Sequence, residues 1–440
     1  MPLKAGFAEV DITPPLGAHK IGWIVDIVIQ EIAHPLSARI AVIESEGDQV
    51  AFVQLDTLCI RWTQTNDIRQ RVQERYSFRG SNIMVAATHN HAGPAVAHCG
   101  DVPRDDAYLE TMVGKIVDCF GQALESMREA EIGFASVPEW NISHNRRVVM
   151  RDGTVSTHGS FRYPEALYVE GPIDPEVAVI AARGADGRLL GALVNFACHP
   201  TDHGGDTIAS GGFPAALARE MRGRGCPVTL FLNGAAGNIS EGDPYRGIEL
   251  SLEEMGRALA DDASKALEGM SFADDLAVGA RSRTIQLPYR KVTQEEIAGT
   301  VRGAQRFVDP TAYDRGMPAL LKRIEERKTQ PAEVQVLSLG DLAFAAVPAE
   351  YFVQLGLRIK EAAHPVHALV VSCANGMVGY VPHKEAFLRG GYETTFTQGA
   401  ALAPEAGDAL ADCAIELTES GRAAASTGER PGDAQGAKEK

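Results

Sequence analysis

The sequence predicts an α/β fold, with a mixed or parallel central sheet, or sheets, flanked by helices. Three observations predict it. Short apolar runs of strand length alternate with segments of helical periodicity from residue 5 to about residue 235, the pattern expected where helices connect strands of one sheet. Strand-like runs return after residue 330, with no Pro/Gly/Ser-rich linker before them. Five apolar runs each end in a Gly- or Pro-marked turn carrying a polar or titratable side chain, and ligands of α/β sheets bind at such carboxyl ends.

In order along the chain, residues 49–55 read as a strand and 67–75 as a helix with a polar face. A strand at 83–87 is followed by a longer helix over 105–130. Strands at 177–182, 190–198 and 228–232 enclose a helix near 214–222. Helical blocks at 252–267, 294–307 and 317–327 precede strands at 332–339, 342–347 and 367–372. One catalytic domain over 1–418 accommodates all of these, as a single unit or as two closely packed halves of about 1–270 and 271–418. The tail 419–440, almost without bulky apolar groups, is expected to be disordered.

A net charge of −16 argues against nucleic acid and against an anionic membrane surface, since both need a basic face. No apolar stretch has the length of a membrane span, and the first residues lack a signal core. The expectation is a cytoplasmic protein that meets a small-molecule substrate and does not insert into membranes; whether it forms a homo-oligomer is left open. The 7 cysteines include no Cys-x-x-Cys pair, so reduced, mostly buried thiols are expected in place of disulfides or a thiolate zinc site.

The polar strand ends hold the candidate chemistry. His89 and His91 follow 83–87, and His199 ends 190–198. Ser240 lies in the Gly-rich turn after 228–232. Glu350 comes just after 342–347, and Tyr380 follows the turn beginning at Cys373. If the strands are parallel, these ends converge on one rim. Taken singly, each has a plainer reading. His89 and His199 could make loop hydrogen bonds, Glu350 could be an acid at a helix N-terminus, and Ser240 a turn serine. His98, His144, His158, His203, His364, His367 and His383 read as structural or surface residues, with His203 kept in reserve for its closeness to His199.

Asp11-Ile12-Thr13-Pro14-Pro15, Thr88-His89-Asn90-His91-Ala92-Gly93-Pro94, Phe196-Ala197-Cys198-His199-Pro200, a Gly-rich turn with Ser240, and Val347-Pro348-Ala349-Glu350 occur in one order. That order resembles the N-terminal catalytic domain of the neutral (non-lysosomal) ceramidases. The resemblance implies one zinc ion held by His89, His199, Glu350 and Tyr380, a site at the carboxyl ends of strands. It implies that His91 is a catalytic or oxyanion-positioning group beside the ligands. An extended segment would point His89 and His91 to opposite sides, so a turn at His89 is required to bring both to the site. Arg146 matches a family Asn-Arg, with a role in stabilising an oxyanion or binding substrate; a surface arginine is the alternative. Tyr392 matches a second tyrosine, a donor to the developing oxyanion.

Ser240 falls at the family's proposed nucleophile, but the family's Gly-Asp-x-Ser-Pro is here Gly237-Asn238-Ile239-Ser240-Glu241. Two routes stay open: attack by Ser240 through an acyl-enzyme, or direct attack by zinc-activated water. The departures favour the second. A further departure puts Gly211 or Gly212 where the family usually has an acidic residue. Family ceramidases are secreted or membrane-facing and carry an immunoglobulin-like domain after the catalytic one. Neither that domain nor a leader is read in this sequence, and aromatic content is 6%, so a small soluble N-acyl amide is expected in place of ceramide. The expected activity is thus zinc-dependent, ceramidase-like hydrolysis of a carbon–nitrogen bond. The alternatives are a zinc esterase or lactonase, and a metal-binding protein without catalysis.

Overall fold

The structure is a computed structural model that describes residues 2–307 and 310–427, without the side chains of 422–427. Its first part supplies strands β1 (Lys4–Asp11), β2 (Ser37–Ser45), β3 (Asp48–Leu55) and β4 (Ile83–Ala87), with helix α1 (Trp62–Tyr76) crossing from β3 to β4 and α2 (Asp106–Glu125) after β4. Next come β5 (Arg128–Pro138), β6 (Glu176–Gly184), β7 (Leu189–Phe196) and β8 (Thr229–Asn233), with α3 (Gly212–Gly223) between β7 and β8 and α4 (Leu252–Glu268) beyond. The last part holds β9 (Val278–Pro288), α5 (Pro310–Arg327), β10 (Thr329–Leu339), β11 (Leu342–Ala346), α6 (Val353–Ala362), β12 (His367–Val371) and α7 (Ala406–Thr427).

Two sheets result. The larger runs β8-β7-β6-β5-β1-β2-β3-β4, with the short strand Phe272–Ala273 pairing beside β5; the smaller runs β9-β10-β11-β12. Both are mixed. The parallel pairs are β3 with β4, β7 with β8, and β11 with β12, each joined by a helical crossover, as parallel pairing demands. The two sheets lie face to face across a core that includes Phe52 and Phe344, whose ring centroids are 4.8 Å apart. Helices α1 and α2 cover one part of the outer face of the larger sheet, α3 and α4 another. Helices α6 and α7 cover the outer face of the smaller one. The order of layers is therefore helix, sheet, sheet, helix. Burial on both faces explains why β3, β4, β7 and β11 read as continuous apolar runs with no polar alternation.

Several expectations from sequence need correction. The helix expected over 105–130 stops at Glu125. Ser126 ends it by accepting from Phe7 N at 3.0 Å and donating to Phe7 O at 3.0 Å, which ties the chain to β1. Residues after it form β5, whose charged first residues had read as helical. Of the helix expected over 294–307, only Gln294–Ala298 forms. Thr293 and Glu296 make a capping box at its start, and Gly299, at φ +66°, closes it in the left-handed region. Strand β9 went unread because it is an edge strand with an exposed polar face, Arg281-Ser282-Arg283-Thr284. Helix α7 runs to Thr427, into the segment expected to be disordered, and residues 428–440 lie outside those described.

Candidate functional site

The carboxyl ends of the three parallel pairs meet at one edge of the sandwich. Buried asparagines stitch them together. Asn375, just beyond β12, accepts from Val85 N of β4 at 2.9 Å and donates to Gln335 of β10 at 2.8 Å. Asn233 donates to Thr88 O at 2.9 Å. Asn195 donates to Leu232 O at 2.8 Å and to Val370 O at 2.9 Å, so that one amide bridges the two sheets. These residues were missed from sequence. Their only signal was a polar residue near the end of each otherwise apolar strand.

Chain geometry then sets the two histidines of the Thr-His-Asn-His stretch. His89 sits at φ +68°, a left-handed conformation that costs a non-glycine residue about 1 kcal/mol. Asn90 stabilises the turn by accepting from Ala92 N at 3.0 Å and donating to Ser210 O at 2.6 Å. This is the turn that alternation required, and it turns both imidazoles the same way. His89 Nε2 and His91 Nε2 are 3.3 Å apart.

His89 and His199 are each anchored through the far ring nitrogen. His89 Nδ1 is 2.8 Å from Leu58 O, and His199 Nδ1 is 2.6 Å from Ala236 O. A carbonyl only accepts, so each ring donates from Nδ1 and turns its Nε2 toward the site. The two Nε2 atoms approach the same oxygen of Glu350, at 3.2 and 3.4 Å. His199 Nε2 is buried and has no hydrogen-bond partner. Ligand atoms of His89, His91 and His199 all lie within 4.8 Å of one another.

Glu350 comes from the other sheet. It follows β11 and pairs in register with Tyr380 in a two-residue parallel ladder, Glu350–Tyr351 with Tyr380–Val381. Gly237 packs against this ladder so closely that a Cβ there would stand 2.5 Å from Glu350 O. The Tyr380 ring stacks on His199, with centroids 6.4 Å apart and planes 12° apart. Its hydroxyl accepts from Arg146 Nη2 at 3.2 Å.

Arg146 is 3% exposed, which removes the surface-arginine reading. Its Nη2 also donates to Gly237 O at 2.9 Å and its Nε to Glu393 at 2.9 Å, so it is held inside the protein and aimed at Tyr380. Glu393 is a further residue that sequence reasoning missed. Wholly buried, it also receives Arg147 at 2.8 Å and Thr157 at 2.8 Å. Its place beside Tyr392 and the Arg146-Arg147 pair were the available signals. Tyr392 packs edge-on to Tyr380, with centroids 5.6 Å apart.

The charges divide unevenly. Burial opposes ionisation of Glu350, but His89 and His199 outweigh it and hold the carboxyl well below its ordinary pKa. Burial lowers His91 strongly and takes His199 down to about 4, with neighbouring positive groups adding to it. His89 is lifted, against burial, by Cys373 and Glu350. A carboxylate, imidazoles with converging lone pairs and a phenol make a donor set suited to zinc. The orphaned His199 Nε2 fits such an ion, and His89, His199, Glu350 and Tyr380 could hold it. His91 stands close enough to be read as a third nitrogen donor.

Ser240 lies in the short strand Ile239–Glu241, paired with His144 of Ser143–Asn145. Its Oγ is buried without a partner, and it is not among the residues lining the cavity next to the site. Asn238 accepts from Val353 N at 2.9 Å and donates to Gln354 at 2.9 Å, a cap on α6. Glu241 accepts from Thr201 N at 2.7 Å, and burial with Asp202 beside it pushes its pKa up to about 8. At Gly211 a Cβ would meet Ala215 at 2.5 Å and Pro35 O at 2.8 Å, so an acidic side chain has no room there. His203 pairs with Asp206 at 2.8 Å, while His98 lines the cavity.

That cavity, of about 470 Å³, opens onto His89, His91, Glu350, Tyr380 and Tyr392. No helix among the described residues is long and apolar enough to cross a membrane.

Comparison with known proteins agrees with this architecture. The chain is 23% identical over 483 residues to the neutral ceramidase of Pseudomonas aeruginosa, covering 89% of this chain and 68% of that protein. It is 24% identical over 355 residues to the neutral ceramidase of Drosophila melanogaster, covering 71% of this chain but 48% of that one. A crystal structure of the Pseudomonas aeruginosa enzyme superposes with a TM-score of 0.73 at 20% identity, over 96% of this chain and 75% of that one. A ceramidase complexed with C2 gives 0.75 at 19% identity, over 96% and 76%. The family model for neutral/alkaline non-lysosomal ceramidases, N-terminal, matches residues 5–210, a span that holds His89, His91, Arg146 and His199 but not Glu350 or Tyr380. Residues 5–210 are thus similar to the N-terminal domain of the neutral/alkaline non-lysosomal ceramidases.

Proposed function

We propose that the chain is a zinc-dependent hydrolase of a carbon–nitrogen bond, acting on the amide of a small soluble N-acyl compound. The observation that carries this reading is the approach of His89 Nε2 and His199 Nε2 to one oxygen of Glu350, each ring locked by a backbone carbonyl. Relatives named as ceramidases support amide hydrolysis. Bound zinc supplies a Lewis acid that polarises a carbonyl and acidifies a water.

The chain's own groups do the rest. His89, His199 and Glu350 would hold the ion, with Tyr380 as a fourth ligand; Arg146, donating to its hydroxyl, favours the phenolate that burial and Glu350 oppose. His91, lining the cavity beside His89, takes the proton from attacking water and delivers it to the leaving nitrogen. Tyr392 lines the same cavity and donates to the carbonyl oxygen as its charge grows. The replacement of the family's Asp and Pro by Asn238 and Glu241 around Ser240 supports direct attack by water over an acyl-enzyme.

Metal content by mass spectrometry, on wild type, His89→Ala and His91→Ala, tests the reading. About one zinc per chain is expected in wild type, none in His89→Ala, and retention in His91→Ala with kcat on a decanoyl p-nitroanilide lowered about 10²- to 10⁴-fold. Loss of zinc in His91→Ala would make it a ligand. A wild type that takes up no metal would sink the hydrolase reading, and faster turnover of the matched p-nitrophenyl ester alone would move it to an esterase.

A further inference from the structure

The chain as a whole carries 58 acidic and 42 basic residues, yet the cavity beside the site reverses that balance. Among the described residues lining it, the acidic ones reduce to Glu350, while Arg61, Arg104, Arg323 and Arg327 all face it. Arg104 is answered by Asp106 at 2.6 Å. Arg61, Arg323 and Arg327 make no ion pair among the described residues, and Arg323 Nε is buried without a hydrogen-bond partner. Burial, then the charges of Arg61 and Arg327, draw Arg323 below the ordinary arginine pKa, with Tyr289 opposing. A guanidinium in such a place is short of one thing, an anion.

Helix α5 gives the distance. Tyr313, Met317, Leu320, Arg323 and Arg327 line the cavity at spacings of three and four residues, one face of a helix. Tyr313 lines the cavity together with Tyr392 of the catalytic end, whose ionisation burial and then Tyr313 disfavour. At the helical rise, Arg323 lies about 15 Å further along the axis. Met317 and Leu320, with Leu402 and Val378 from other walls, make an apolar waist between the two polar ends.

We propose that this cavity selects amides whose far end is a carboxylate, bound by Arg323 with Arg61 and Arg327, and separated from the scissile bond by an apolar segment. The planar fork of Arg323, with its Nε unpaired, suits a two-oxygen carboxylate. The proposal rests on the amide-hydrolase reading for its catalytic half, but the anion site can be measured without turnover.

The test compares p-nitroanilides of decanoic and of decanedioic acid, which share an acyl length and differ in a terminal methyl or carboxylate. Wild type, Arg323→Gln and Arg327→Gln are assayed with zinc, and binding of decanoate and decanedioate is measured by calorimetry. In wild type the carboxylate-ended amide is expected to have the higher kcat/KM, by about tenfold or more, and decanedioate to bind tighter by a similar factor. Arg323→Gln should bring both ratios near one; Arg327→Gln, at the exposed end of the helix, should lower both ratios and tests the site even if Arg323→Gln folds poorly. Turnover of both amides with no preference, and equal binding of the two acids, overturns the anion site and leaves the hydrolase. Tighter binding of decanedioate, lost on Arg323→Gln, with neither amide cleaved, overturns the hydrolase reading and leaves the anion site.

Discussion

Glu393 balances two guanidinium groups in the interior, those of Arg146 and Arg147, and through Arg146 it holds Tyr380 in place. Burial works against its ionisation, but Arg146 and Arg147 outweigh burial and take its pKa down to about 2. The unfolded carboxyl titrates near its ordinary value of about 4.3. A depressed folded pKa contributes stability that is present above the unfolded value and is lost as pH falls through the folded one, about 3 kcal/mol in this case. Glu393→Gln is therefore expected to cost about 3–5 kcal/mol at pH 7, and the gap from wild type to narrow as pH falls from about 4.5 toward 2. Urea unfolding at a series of pH values measures this, and a gap independent of pH would refute it. At this scale the sequence was legible where a residue belongs to a local string, as His89, His91, His199 and Glu350 do. Glu393, Asn195, Asn233 and Asn375 were not, because their partners lie far away in the chain and are mostly backbone carbonyls or arginines that no local pattern reveals.

Helix α6 begins three residues after Glu350, and its first free N–H, that of Val353, is received by Asn238 from the turn that carries Ser240. One side chain thus fixes two pieces of the site relative to each other. Asn238→Ala is expected to lose about 1–2 kcal/mol, the usual cost of a lost N-terminal cap, while Asn238→Asp keeps the acceptor and stays close to wild type. Thermal melts of the two variants check the difference; equal losses would mean that the contact to Gln354 matters more than the cap. Elements were readable wherever periodicity matched burial, as in β4, β7, α3 and α4. They failed where burial is one-sided or the chain is charged. Strand β5 enters the sheet through Arg128-Glu129-Ala130-Glu131, and edge strand β9 turns a polar face outward.

Over the whole molecule, the site belongs to neither sheet alone: His89 and His199 come from the larger, Glu350 and Tyr380 from the smaller. Whatever loosens the contact between sheets should loosen the site. Phe344→Ala, which removes a fully buried ring packed on Phe52, is expected to cost about 3–5 kcal/mol and, on the proposed zinc site, to speed loss of the metal to a chelator. Calorimetric melting and chelator kinetics read the two effects; destabilisation with unchanged zinc loss would show that the asparagine stitches suffice. The convergence of strand ends was legible because crossovers force parallel pairing, but the stacking of two sheets was not, since a run buried on both faces looks alike under a helix or a second sheet. That stacking also governs when the site can exist. A ribosome that has just made His91 must add residues through Tyr392 before the opposite wall is available, on the order of 15 s to a minute at usual rates of synthesis. For most of that interval the emerging histidines have no Glu350 carboxylate to face, and the site stays incomplete until Tyr392 is added.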